Sequence, residues 1–122
     1  MTDTAIDVHN PVDLERKLEE ISNRIADGVK VVSRAEKAAR DARRQFDYDF
    51  AVAIGEATGP AVNHKYQATV ATVASRKVAE DAEIAFRYAE RQARALEKEL
   101  GAWQSINTNV RTMYGVAGVG QR

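Results

Sequence analysis

Thr58-Gly59-Pro60 is the stretch that decides the fold, because it is the one clear break inside the molecule. Glycine supplies the left-handed backbone that ends a helix. Proline cannot continue the old helix but can begin a new one. Asn63 offers a second start a few residues later.

On the N-terminal side, no proline interrupts residues 12–59. An apolar stripe runs Leu14, Leu18, Ile21, Ile25, Val29, Val32, Ala35, Ala39, Ala42, Phe46, Phe50, Ile54 in steps of three or four, as one helix face requires. Asn10-Pro11 reads as its start: the Asn side chain can accept from free backbone N–H groups, and Pro fits the first turn. Helix 1 is expected over about 11–57, the turn over 58–60. On the C-terminal side a second stripe runs Val70, Val73, Val78, Ala82, Ala85, Ala89, Leu96, Leu100, Trp103, Val110, Met113. It predicts helix 2 over about 61–114. Residues 1–9 and the glycine-rich 115–122 are expected to be flexible tails.

Two helices of roughly 45–53 residues, about 70–80 Å each at 1.5 Å rise, point to a coiled-coil-like pair. A short connection makes them antiparallel neighbours. The fold class is therefore all-α, a long antiparallel two-helix hairpin. Pairing about Gly59 places Phe46 and Phe50 opposite Val70 and Val73, and Trp103 at the Leu14/Leu18 end. Acid-first pairs Asp13–Lys17, Glu20–Arg24, Glu36–Arg40, Glu83–Arg87 and Glu90–Arg94 suit exposed helix faces.

The apolar surface is wider than one seam. Val31 and Ala38 flank the first stripe, and Ala79, Phe86 and Ala93 widen the second. Assembly into a homo-oligomeric helical bundle would cover it. Phe86, Ala93, Leu96, Leu100 and Trp103 are the expected core or oligomer interface, with Gln104, Asn107 and Asn109 able to fix register across helices.

Of the 122 residues 18 are basic and 18 acidic, so any nucleic-acid contact must be a local patch. There is no cysteine, which excludes disulfides and thiolate metal sites and suits a reducing cytoplasm. No apolar run approaches the ~20 residues of a membrane span, so no membrane partner is expected. His9 and His64 stand at no ligand spacing and read as solvent-exposed imidazoles. No phosphate-binding glycine loop, nucleophile elbow or Glu-x-x-His motif occurs. The chain is expected to be no enzyme and to hold no cofactor or metal.

The best candidate site is a basic stretch: Lys30, Arg34, Lys37, Arg40, Arg43 and Arg44 against only Glu36 and Asp41. The hairpin would bring Arg76 and Lys77 opposite Arg43 and Arg44, with Phe46 and Tyr48 close by and His64 and Tyr66 towards the turn. Cations beside aromatics can grip a phosphate backbone and stack a base. The same charges also fit a solvated helix face.

Residues 59–65, Gly-Pro-Ala-Val-Asn-His-Lys, and the alanine-rich run 82–106 ending Leu-Gly-Ala-Trp-Gln-Ser-Ile resemble small helical proteins of phages and prophages of Gram-positive bacteria. The resemblance covers mainly residues 55–113, and Trp103 stands where that family often has Leu. It implies an accessory role in DNA recombination or replication in the bacterial cytoplasm, with single-stranded DNA or a DNA-processing protein as partner. It carries no catalytic residues. A protein–protein module, acting as adaptor, scaffold or inhibitor of a host protein, is the alternative. A secreted hairpin with a Trp-x-Gly turn does not fit, because this turn is Thr58-Gly59-Pro60.

Overall fold

The computed structural model describes residues 6–120, with side chains for residues 6–115. It is all-helical there. Helix α1 spans Pro11–Glu56, a short 3-10 helix spans Ala61–Asn63, α2 spans His64–Ala71 and α3 spans Val73–Gly120. The chain divides into two compact units, one of residues Met1–Val29 with Gln92–Arg122, the other of residues Lys30–Arg91.

The N-terminus of α1 is capped as its sequence demands. Asn10 Oδ1 accepts from Val12 N at 2.9 Å, satisfying one of the free N–H groups of the first turn. Residues expected to be a loose tail are tied down here: His9 N donates to Asp7 Oδ1 at 2.9 Å, Asn10 N to Asp7 O at 2.9 Å, and Tyr114 Oη to His9 O at 2.9 Å. Residues 1–5 lie outside the described ones. At the other end α3 runs past the expected stop at Tyr114 as far as Gly120. Gly115 keeps a helical rather than left-handed backbone, so the helix propagates through it at a cost of about 1 kcal/mol relative to Ala. Residues 121 and 122 lie outside the described ones.

Gly59 takes the one positive φ among the described residues, 82°, and ends α1's approach as its sequence requires. The turn is then closed by side chains. Gln67 donates to Thr58 O at 2.6 Å and accepts from Thr58 N at 3.1 Å, while His64 Nε2 donates to Gly59 O at 2.9 Å. His64 is thus half-buried and bonded, not a free imidazole.

The second helix is two helices. Thr72, buried, has φ −111° and ψ 20°, outside the helical region, and separates α2 from α3. Its hydroxyl donates to Ala68 O at 2.7 Å, a back-bond of the kind that bends helices. Arg76 Nη2 donates to Thr69 O at 2.7 Å, satisfying a carbonyl of α2's last turn.

Burial follows a seven-residue repeat rather than the broader stripes expected. In the unit of residues 30–91 a three-four repeat of covered positions runs through Val32, Ala35, Ala39, Ala42, Phe46, Asp49 and Ala53 of α1 and through Thr72, Ser75, Ala79, Ala82, Phe86 and Ala89 beyond the turn; Glu36, Phe50, Arg76, Glu83 and Glu90, beside that repeat, are half-buried too. Ser75 Oγ donates to Asp49 Oδ2 at 2.7 Å, joining the two arms. In the other unit the repeat runs through Leu14, Leu18, Ile21, Ile25 and Gly28, with Ala93, Leu96, Leu100, Trp103, Asn107 and Val110, and Asp13, Lys17, Glu99 and Ile106 beside it are half-buried too. Spacing of three and four in strict alternation is the coiled-coil repeat. Val29, Ile54, Val70, Val73, Val78, Ala85 and Met113, placed on the stripes by sequence, are exposed.

The expected pairing of Phe46 and Phe50 with Val70 and Val73 is therefore corrected. Phe46 has Arg76 over its ring instead and lines one groove with Ala79. The 3-10 helix and the break at Thr72 add chain to the turn, so the partner of each α1 residue falls further along.

Candidate functional site

The heptad repeat gives the unit of residues 30–91 two different sides. Immediately beside the covered positions, α1 carries Val31, Ala38, Gln45 and Val52 at intervals of seven, and the returning chain carries Ala71, Val78 and Ala85. These belong to one side of the pair: Gln45, Val52, Ala71 and Val78 line a single open groove with Ala42 and Ala74. It holds no Lys or Arg, and its carboxylates are Asp49, bonded to Ser75, and Glu56 at the end of α1. The other flank carries Glu36, Arg43 and Phe50 on α1 and Arg76, Glu83 and Glu90 on the returning chain. Its grooves are lined by Glu36, Arg40, Arg43, Arg76, Glu83 and Arg87 around Phe46 and Phe86.

The basic stretch lies mainly on this charged side and along α1's outer surface, and most of it is already neutralised. Lys37 Nζ meets Asp41 at 2.8 Å and Arg44 meets the same carboxylate at 3.3 Å. Arg40 pairs with Glu36 at 3.2 Å, Arg43 with Asp47 at 3.6 Å, and Lys77 with Asp81 at 2.8 Å. The hydrogen bond and charge of Lys37, with Arg44 beside it, hold the Asp41 carboxyl below the usual aspartate range. The hydrogen bond and charge of Asp81 raise Lys77 above the usual lysine range. Both shifts favour the charged pair. Lys30 and Arg34 are exposed and form no ion pair among the described residues.

Arg43 and Arg76 do come together. Their guanidinium carbons lie 5.6 Å and 5.9 Å from the Phe46 ring centre, and Phe50 stands 6.1 Å from that ring. Lys77 and Arg44 instead turn to their own carboxylates. Arg76 is half-buried and committed to Thr69 O, a role that the sequence stripe did not disclose. Tyr66 is exposed near the turn.

Phe86, Ala93, Leu96, Leu100 and Trp103, expected as an interface, are all half-buried on the covered repeat of α3. Lys17 Nζ sits 5.8 Å from the Trp103 ring centre, a cation–π contact, and Arg111 meets Glu15 at 3.3 Å in the same unit. Of the expected acid-first pairs, Glu36–Arg40 and Glu83–Arg87 form, whereas Asp13 meets Arg16 and Glu20 meets Lys17, each at 3.8 Å. Asn107 Oδ1, expected to help fix register, is buried without a hydrogen-bond partner among the described residues, whereas Ser75–Asp49 joins the arms of the unit of residues 30–91. No group of three or more metal-ligating side chains occurs among the described residues, and no helix there is long and apolar enough to cross a membrane.

The class that fold and surface define is an all-helical chain with one apolar and one self-neutralised lateral side in its unit of residues 30–91. Compared with protein-family models, curated proteins and solved structures, the chain matches none.

Proposed function

We propose that the chain is a non-enzymatic protein–protein interaction module that presents the apolar side of residues 30–91 to another helical surface. One observation carries the reading. The buried apolar side chains of this unit are Ala39, Ala68, Ala79 and Ala89, while Val52 and Val78 in the apolar groove are exposed. An alanine methyl withdraws little area from water, and Val32, Phe46 and Phe86 are only half-buried, so this unit's own seam leaves much apolar surface in water. Its larger apolar groups become useful only when a partner covers them.

A second reading, contact with single-stranded DNA in replication or recombination, has one observation in its favour: the Arg43–Phe46–Arg76 cluster resembles a stacking platform with attached cations. Against it stands the pairing of Lys37 and Arg44 with one carboxylate, Asp41, and of Arg40 and Lys77 with Glu36 and Asp81.

Two measurements separate the readings. A photo-activated cross-linking side chain is placed at Val78, or at Arg87 on the charged side, and irradiated in the producing cell. A fluorescent single-stranded oligonucleotide is titrated at low salt. The module reading expects protein adducts from position 78, few from position 87, and no oligonucleotide binding. Binding whose salt slope flattens on charge reversal at Arg40, Arg43 and Arg44, with no protein adducts at position 78, would replace it with the second.

A further inference from the structure

We infer that the open groove of this apolar side takes a helix of another protein that is both apolar and basic, with lysine or arginine set against Asp49 and Glu56. The inference rests on the module reading and names the chemistry of the partner. The first support is the half-buried Asp49. Its Oδ1 accepts from Gln45 Nε2 at 2.9 Å and its Oδ2 from Ser75 Oγ at 2.7 Å, both neutral donors. It forms no ion pair among the described residues. A partner that covers Val52 and Val78 also takes water from this carboxylate, which lines the same groove. Stripping water from an uncompensated charge is unfavourable, and a cation brought by the partner offsets that loss.

The second support is the sign of the groove's charge. Glu36, Asp41, Asp47, Asp81 and Glu83 each meet a cation of their own arm. Among the described residues Asp49 does not, and neither does Glu56, exposed at the end of α1. The groove is lined by these two carboxylates and by no Lys or Arg. It therefore attracts a cationic surface and repels an acidic one.

The third support is shape. Ala42, Ala53, Ala71 and Ala74 line the groove beside Val52 and Val78. Walls of small side chains let a further helix approach closely. Along α1 the lining runs from Ala42 to Glu56, about 21 Å at 1.5 Å rise per residue, which matches an incoming helix of about four turns. Asp49 and Glu56 stand about two turns apart on α1, so cations at the same spacing on that helix reach both.

The test titrates the full chain into two fluorescent synthetic helices and follows anisotropy. Both carry the same leucine and alanine face; one has lysines two turns apart beside it, the other glutamates in their place. The lysine helix is expected to bind, and the glutamate helix at least about 10-fold more weakly, the effect of one well-placed charged hydrogen bond. Asp49→Asn/Glu56→Gln should remove that preference. Because Asp49 also joins the arms, Glu56→Lys at an exposed site is the cleaner variant: it should weaken the lysine helix and favour the glutamate helix, with far-UV circular dichroism unchanged. Arg87→Gln, on the charged side, should alter neither. Equal binding of the two helices, binding of neither at about 1 mM, or a preference untouched by Glu56→Lys overturns the inference. Protein adducts at position 78 would then still uphold the module reading. A dimer in sedimentation velocity that Val52→Glu breaks would put a second copy in the groove and also overturn it.

Discussion

Ile21 and Val29 both belong to the apolar stripe of α1 by sequence, but the structure buries one and exposes the other. Ile21 is 0% exposed and Val29 is 64% exposed. Ile21→Ala removes three carbons from a closed site. At about 0.8 kcal/mol per buried carbon the transfer loss is roughly 2.4 kcal/mol, and the cavity left behind raises it to about 3–4 kcal/mol. Val29→Ala removes two carbons that are only about one-third covered, worth about 0.5 kcal/mol. Alanine's better helix propensity returns about the same amount, so the net change should lie within about 0.5 kcal/mol of zero. The assay is urea unfolding followed by circular dichroism at one fixed chain concentration, because any self-association adds a concentration-dependent increment. Equal losses at the two sites, or a larger loss at Val29, would refute the seven-residue repeat and restore the broad stripe.

Gly59→Ala, forced to keep a φ of 82°, should cost about 1–2 kcal/mol, whereas Gly28→Ala, whose new methyl meets nothing within 4 Å on a helical backbone, should gain about 0.5–1 kcal/mol in the same unfolding assay. Asp41 ionises more readily in the folded chain, so its contribution to stability is present above the ordinary aspartate range and fades as pH falls through the lowered folded value; Asp41→Asn should therefore flatten the acid side of the stability curve measured by thermal unfolding between pH 2 and pH 6. Lys77 behaves in the opposite sense: its contribution is complete below the ordinary lysine range and is lost as pH rises through the raised folded value, so Lys77→Gln should blunt only the alkaline side.

Local chemistry made much of the fold legible. Asn10-Pro11 and Thr58-Gly59-Pro60 act through their own backbone geometry, and each does in the structure what its residue types dictate. The helical character of both arms follows from the spacing of Leu14, Ile21, Leu96 and Leu100. The break at Thr72 was not legible, because a threonine inside a helix signals a bend only once its hydroxyl is seen on Ala68 O. The register shift follows from that break and from the 3-10 helix, which no pattern of apolar residues marks. Val29, Val70 and Val73 misled because alanine and glycine can occupy covered positions of the repeat. A count of apolar residues favours the valine beside Gly28 over Gly28 itself. The basic stretch is a row of cations in the sequence, but pairing with Asp41, Glu36 and Asp81 depends on rotamers that spacing alone does not fix. Arg76 looked like part of that row and is instead occupied with the carbonyl of Thr69.

The register of the arms decides which side chains share the apolar side, and a pair of cysteines reads it directly in a chain that has none of its own. In Asp49→Cys/Ser75→Cys, the two positions joined at 2.7 Å by their native side chains should close an intramolecular disulfide under mild oxidation, visible as a mobility shift reversed by reductant. Phe50→Cys/Val70→Cys, the pair expected from turning about Gly59, should stay reduced within the chain. Ready closure of the second pair with none in the first would contradict the register, and with it the placement of Val52 and Val78 on one side.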